Sequence, residues 1–245
     1  MQYNFTKYGK GRAAVLVHGW GGDLGNLEKL GRKLAENGFS AYNLELAGFG
    51  RTPEPERPWE IRDFSNFVID FCRSERIEAP IFVGHSFGGK IVLDIAAHRL
   101  HDLSGLVLIG ADGIYPNFSL RAKVFRFASD LKQLLPGKLQ DSLARQYYKY
   151  ILKQINYIKT SDVMRRTLIK CDRTDFDREL GRIDVPTLII WGANDKVTPL
   201  WMGELLNRGI SGSKLVIVNE SGHAIPLKHP DYTAELMSSW ENEQV

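Results

Sequence analysis

The sequence lacks the marks of several large classes of protein. It has only two cysteines, Cys72 and Cys171, among 245 residues. They are too few and too far apart for a disulfide framework, so both are expected as thiols in a reducing compartment. No apolar run approaches the ~20 residues a membrane-spanning helix needs, so no stable membrane insertion is expected. The opening Met-Gln-Tyr-Asn-Phe-Thr-Lys-Tyr has none of the apolar stretch of a secretory signal, which points to the cytoplasm. Neither sign of charge dominates: 32 Lys and Arg stand against 29 Asp and Glu, a net +3. Zinc-finger, RNA-recognition and P-loop spacings are missing as well, so a nucleic-acid partner is not expected. There is no His/Cys/Asp/Glu cluster at metal-ligand spacing and no nucleotide-binding loop, so no metal and no cofactor is implied. What remains is 43% hydrophobic, 25% charged and 11% aromatic. That composition fills the core of a large α/β domain and excludes a disordered or collagen-like chain.

Short β-branched runs alternate with amphipathic stretches, the pattern of a mostly parallel sheet flanked by helices. Residues 13–17, 40–46, 80–84, 106–109, 186–191 and 214–218 read as strands. Between the first two, Leu27, Leu30 and Leu34 share one helical face, with Asn26 as the expected cap and Gly38 as the stop. Ile61, Phe64, Val68 and Phe71 mark a second helix by their 3.6-residue period. Ile91, Val92, Ile95 and Ala96 mark a third. Thr198 is expected to cap a helix beginning at Pro199, and a last helix starts near Pro230. Before residue 13 only Gln2 to Tyr8 is available, so the opening edge of the sheet is expected to be short or reduced to one strand.

After the fourth of these strands the alternation stops. Residues 113–182 contain no buried-strand run, only helical periodicity: Leu120, Val124, Phe127, Leu131 and Leu135, then Tyr147, Ile151 and Ile158. This divides the chain into a core, 1–112 with 183–245, and a helical insertion, 113–182. The insertion reads either as a second helical domain or as a cap (lid) over a site. It carries 15 Lys and Arg against 7 Asp and Glu, so it is the basic part of the molecule.

The chemistry is concentrated at Gly84-His85-Ser86-Phe87-Gly88-Gly89, which follows a strand and opens a helix. A hydroxyl nucleophile must project from a tight strand-to-helix turn, and flanking glycines let the backbone pass close to its neighbours. The helix N-terminus places amide N–H groups and a positive dipole end where negative charge would develop.

With these residues in view, the sequence resembles the α/β-hydrolase superfamily, in its lidded serine-hydrolase or esterase form. His18-Gly19-Trp20-Gly21-Gly22 resembles its His-Gly oxyanion turn. Ala47-Gly48-Phe49-Gly50-Arg51-Thr52 is similar to its Pro-Gly-Phe-Gly-x-Ser loop, with Ala in place of Pro. Val185 to Gly192, followed by Asn194-Asp195-Lys196-Val197-Thr198-Pro199, resembles its acid-bearing segment. Ser221-Gly222-His223 stands where the family carries its histidine. The matches span residues 18 to 230 in the order Ser, Asp, His.

The resemblance implies the α/β-hydrolase fold, a helical cap after the fourth parallel strand, and a role for each of these residues. Ser86 is the nucleophile and needs a base. Among six histidines, His223 fits that role: it lies in a loop just past a strand. His85 reads as structural, since adjacent side chains diverge at such a turn. His98 and His101 fall late on a helix, His229 begins one, and His18 has a scaffolding place in the oxyanion turn. Asp195 is the expected acid, with Asp112 its rival, because some members carry the acid after the preceding strand. The expected oxyanion donors are the backbone N–H groups of Trp20 and Phe87. The Trp20 side chain either lines an acyl pocket or packs on the lid. Glu45, where relatives often have Asp, is read as a structural contact.

The implied activity is cofactor-free hydrolysis of small to medium carboxylic esters, with a small-molecule acyl substrate and an acyl-enzyme on Ser86. The same residues would serve C–C, lactone, thioester or peptide-bond hydrolysis, or perhydrolysis. A ligand receptor without turnover is the non-enzymatic alternative.

Overall fold

The computed structural model describes residues 3–114, 161–172 and 174–244. Its centre is a seven-stranded sheet made of β1 (Asn4–Tyr8), β2 (Arg12–Val17), β3 (Phe39–Glu45), β4 (Ile81–His85), β5 (Gly105–Ile109), β6 (Thr187–Gly192) and β7 (Lys214–Val218), in the order β1-β3-β2-β4-β5-β6-β7. Only β1 is antiparallel, pairing with β3 from Asn4 opposite Glu45 to Tyr8 opposite Ala41; every other pair is parallel. Of the two forms expected for the opening edge, short or reduced to one strand, the structure has the single strand β1.

The parallel strands are apolar on both faces because helices cover both. In β2, Ala14 and Leu16 meet Leu27, Leu30 and Leu34 of α1 (Leu24–Glu36), together with Met237 and Trp240 of a C-terminal helix. Val15 and Val17 point the other way, into a cluster holding Phe64 and Phe71 of α2 (Ile61–Ser74) and Ile91 and Ile95 of α3 (Phe87–Ala97). That two-residue alternation splits one apolar run between two cores. Beyond β5 the described helices are α4 (Asp162–Asp172), α5 (Leu200–Gly209), the four-residue α6 (Ile225–Lys228) and α7 (Pro230–Asn242). Among the described residues no helix is long and apolar enough to cross a membrane.

Two expected caps differ from what forms. Asp23, not Asn26, caps α1: its Oδ1 accepts from the Gly25 N–H at 2.9 Å, and Asn26 Oδ1 accepts in return from the Asp23 N–H at 2.9 Å. Asn26 is thus the third-position half of a reciprocal capping box. Helix α5 starts at Leu200 with Pro199 at its cap position, because the Thr198 side chain is engaged elsewhere. His101 lies beyond the end of α3 at Ala97.

The apolar stripe expected at Leu120, Val124, Phe127, Leu131 and Leu135 lies outside the described residues. So do Arg121, Lys123, Arg126, Lys132, Tyr147, Ile151 and Ile158. The two ends of segment 113–182 are described and adjoin, since the Phe176 N–H donates to the Gly113 carbonyl at 2.9 Å. Ile114, Met164, Cys171, Phe176 and Leu180 join the same cluster as α2 and α3.

The strand order positions the site. From β2 the chain moves outward to β3, then returns to place β4 on the other side of β2. Where connections depart in opposite directions, a crevice opens beyond the carboxyl ends of the two strands. The turns after β2 and β4, which carry Trp20 and Ser86, border that crevice.

Candidate active site

Ser86 links β4 to α3 with φ 54° and ψ −118°, a left-handed backbone that costs a non-glycine residue on the order of 1–3 kcal/mol. Its surroundings enforce it. A Cβ on Gly84 would come within 2.6 Å of the Gly88 carbonyl oxygen, Gly89 Cα and Val92 Cγ2, so only glycine lets β4 and α3 approach so closely. The Ser86 N–H donates to the Ile109 carbonyl at 3.1 Å, and the Asp112 N–H donates to the Ser86 carbonyl at 3.0 Å. The neighbouring strand end therefore holds the turn on both sides.

The Ser86 hydroxyl lies 2.9 Å from His223 Nε2, and His223 Nδ1 lies 2.8 Å from Asp195 Oδ2. A carboxylate only accepts, so Nδ1 carries the proton and Nε2 faces the hydroxyl as an acceptor. Three loops, after β4, β6 and β7, supply these side chains. The loops carrying Asp195 and His223 are fastened together by the Asn194 N–H donating to the Ser221 carbonyl at 2.9 Å. The Asp195 side chain is fully buried. Burial pushes its pKa up, but the His223 hydrogen bond and charge, with the N–H groups of Thr198 and Val197, outweigh that and hold it below the ordinary carboxylate value.

Of the two candidate acids, Asp195 is the one beside His223. The Asp112 carboxylate pairs with Lys90 Nζ at 3.0 Å and accepts from the Gly113 N–H at 2.7 Å. Lys90 is buried and also donates to the Cys171 carbonyl at 3.2 Å. This lysine ties α3, which begins just after Ser86, to Asp112 and to Cys171 of α4.

The two expected oxyanion donors stand at the crevice. Phe87 is the first residue of α3, and its N–H is one of the amides an α-helix leaves without an internal acceptor. Trp20 is the second residue of a turn closed by the Gly22 N–H and the Gly19 carbonyl at 3.0 Å, a bond that does not use the Trp20 N–H. The Trp20 ring stands edge-on between Phe49 and Phe87, with centroids 4.9 and 5.0 Å away. A cavity of about 470 Å³ lies beside it, lined by Phe49, Glu54, Ser161 and Met164 among others. A larger one of about 640 Å³ lies against β1 and α1, and none of its lining residues is Ser86, Asp195 or His223.

The residues around Ser86, His223 and Asp195 are held by hydrogen bonds as well. His18 is buried, donates from Nδ1 to the Gly19 carbonyl at 2.8 Å and accepts at Nε2 from the Leu46 N–H at 3.0 Å. It thereby locks the Trp20 turn to the 47–52 loop, and desolvation lowers its pKa and keeps it neutral. Buried Glu45 accepts from Asn4 Nδ2 and from the Arg51 and Thr52 N–H groups at 2.7, 2.7 and 2.9 Å. Burial raises its pKa, but those donors prevail and leave it lowered. Two site contacts were not anticipated: the Thr198 hydroxyl at Asp195 and His223, and the His85 ring at the His223 carbonyl. The spacing Asp195-x-x-Thr198, which lets a loop carboxylate meet a side chain three residues on, was the available signal for the first.

A protein-family model for the alpha/beta hydrolase family matches residues 14–236, and the chain belongs to that family. It is 30% identical to a pimeloyl-[acyl-carrier protein] methyl ester esterase of Neisseria meningitidis serogroup B, over 92% of this chain and 91% of the relative. An esterase from Exiguobacterium antarcticum superposes with a TM-score of 0.75 at 22% identity, covering 98% of this chain and 95% of that one. A meta-cleavage product hydrolase from Pseudomonas fluorescens IP01 gives a TM-score of 0.75 at 22% identity, over 99% and 95% of the two chains. These two structures share the fold with this chain.

Proposed function

We propose that this protein is a serine hydrolase of carboxylic esters that works through an acyl-enzyme on Ser86. The observation that carries this reading is the continuous hydrogen-bonded line from Ser86 Oγ through His223 to Asp195, at 2.9 and 2.8 Å. Ser86 Oγ attacks the ester carbonyl while His223 Nε2 takes the hydroxyl proton. Asp195 stabilises the imidazolium so formed. The carbonyl oxygen, now negative, receives the N–H groups of Trp20 and Phe87, which reorganise little because turn and helix already hold them. His223 gives its proton to the departing alkoxide. Water, deprotonated by His223, then attacks the acyl carbon, and the acid leaves as Ser86 regains its proton.

Residues 113–182 are the proposed cap over this crevice, on a core of 1–112 and 183–245. The substrate is a small to medium acyl ester; the Neisseria relative is named for a carboxylic ester too, a pimeloyl-[acyl-carrier protein] methyl ester. Asp195 supports the reading over Asp112, whose carboxylate is taken up by Lys90.

Titration with a fluorophosphonate, followed by turnover of p-nitrophenyl esters of graded chain length, tests this. Labelling at one residue and steady hydrolysis are expected, with both lost in Ser86→Ala and turnover lost in His223→Ala while each variant stays folded. Full activity in Ser86→Ala, with label on another residue, would overturn the mechanism.

A further inference from the structure

A buried carboxylate is costly unless its lone pairs are answered. Asp195 has four donors. Oδ1 accepts from the N–H groups of Val197 and Thr198 at 2.8 and 2.9 Å; Oδ2 accepts from His223 Nδ1 at 2.8 Å and from the Thr198 hydroxyl at 2.9 Å. Thr198 therefore supplies two of the four, one from its main chain and one from its side chain.

The Thr198 hydroxyl lies in a crowded polar corner. It is also 3.1 Å from the Gly110 carbonyl and 3.1 Å from His223 Nδ1. A hydroxyl has a single proton, and both Gly110 O and Asp195 Oδ2 can only accept. The negative charge and shorter distance of Asp195 Oδ2 make it the better recipient. Oγ1 then faces the His223 N–H with its lone pairs. Gly110, at φ 49°, makes the corner possible: a Cβ there would stand 3.2 Å from Asp195 Oδ2 and 3.3 Å from His223 Nδ1.

The residue is anchored independently of its hydroxyl. Its carbonyl accepts from Trp191 Nε1 at 2.8 Å, and its N–H is held by Asp195 Oδ1. Removing the hydroxyl alone thus leaves the main chain fastened on both sides. The side chain does no capping work on α5, which begins two residues later.

We infer that the Thr198 hydroxyl is a positioning group for the hydrolysis, holding Oδ2 of Asp195 aimed at the His223 ring. The inference rests on the assignment of Ser86, His223 and Asp195 made above. It predicts an effect on the step in which positive charge develops on His223, transmitted through Asp195, with substrate binding unaffected.

The experiment is steady-state kinetics on p-nitrophenyl esters for Thr198→Val, Thr198→Ser, Asp195→Asn and the double variant Thr198→Val/Asp195→Asn. Thr198→Val is expected to lower kcat about ten- to a hundredfold, the range of a hydrogen bond to a charged group, with KM within about twofold. Thr198→Ser, which keeps the hydroxyl, should stay within about threefold of wild type. In the Asp195→Asn background the valine should cost no more than about a further twofold, because the group it acts through is gone. Full kcat in Thr198→Val, failure of serine to restore it, or the same factor lost in both backgrounds would overturn the inference. Should the valine variant not fold, Thr198→Cys, of similar size and with only a weak donor, carries the same reading. If Asp195→Asn itself kept near wild-type kcat, the assignment of the acid would fail instead.

Discussion

His85 and His223 are coupled through the main chain: His85 Nε2 donates to the His223 carbonyl oxygen at 2.9 Å, and the two rings lie 4.9 Å apart. The residue before Ser86 thereby fastens the loop that carries His223, 138 positions away in the chain. The His85 side chain is thus directed at the loop that carries His223. Burial, then the neighbouring His223, pushes the His85 pKa down to about 4, so its ring is neutral at ordinary pH.

That depression has a consequence for stability. In the unfolded chain His85 takes up a proton as pH falls through its ordinary value near 6.5, whereas in the fold it does so only near 4. Between those values the unfolded state binds more protons, so stability falls with falling pH, by up to about 3 kcal/mol from this residue. His85→Gln keeps a donor for the His223 carbonyl but does not titrate. Urea unfolding at pH 7 and pH 4.5 should show a clearly smaller acid loss for the variant. Equal losses would mean that His85 is protonated in the fold.

The two acids should separate by the kind of damage they do. Asp195→Asn is expected to lower kcat by on the order of 10⁴, as in the triad whose aspartate was so replaced. Asp112→Asn should leave kcat within several-fold. It should instead lower the melting temperature, since buried Lys90 loses a charged partner worth roughly 1.5–3 kcal/mol. A larger kcat loss from Asp112→Asn would reverse the assignment.

The strained turn predicts an exchange of stability against activity. Glycine adopts the φ of 54° that Ser86 holds without the penalty a Cβ brings. Ser86→Gly should therefore unfold at a higher denaturant concentration than Ser86→Ala, by about 1 kcal/mol, with both inactive. Equal stability of the two would indicate that the turn stores no strain.

The charge of segment 113–182, with 15 basic against 7 acidic residues, is a property of the sequence. If it steers anionic substrates, kcat/KM for carboxylate-bearing esters should fall as salt rises, because such attraction is screened beyond about 8–10 Å near physiological ionic strength. Neutral esters of equal length should be unaffected. Reversing Arg121, Lys123 and Arg126 to Glu should abolish the difference. Equal salt dependence for both kinds of ester would refute steering.

Much of the fold was legible in the chain because its signals are local. A run such as Ala13 to Val17, apolar at every position, is what a strand covered on both faces requires, and the α1 stripe of Leu27, Leu30 and Leu34 follows from helical geometry alone. Ser86 and Phe87 were legible for a similar reason: the Gly84-x-Ser86-x-Gly88 spacing encodes a turn, and the amide of Phe87 is fixed by the turn itself. The cap of α1 is not legible at this level, because Asp23 and Asn26 are both competent cap residues. Only the reciprocal geometry of the capping box assigns Asp23 to the cap position and Asn26 to the third residue.

The sequence by itself determined the strands, the helices between them, and the loops bearing Ser86, Asp195 and His223, since each depends on residues within a few positions of one another. Tertiary structure alone decided which carboxylate meets His223, what Thr198 and His85 touch, and why Glu45 is charged while buried. Those contacts join segments brought together by the strand order β2-β4-β5-β6-β7, which sets the loops after β4, β5, β6 and β7 side by side at the carboxyl ends of the strands. A hydrogen bond requires its partners within about 3 Å, and no local spacing in a chain specifies which distant loop will arrive there. Asp112 and Asp195 each lie three residues past the end of a strand, β5 and β6. The β5–β6 register, with Ile109 beside Ile190, leaves the first against Lys90 and delivers the second to His223.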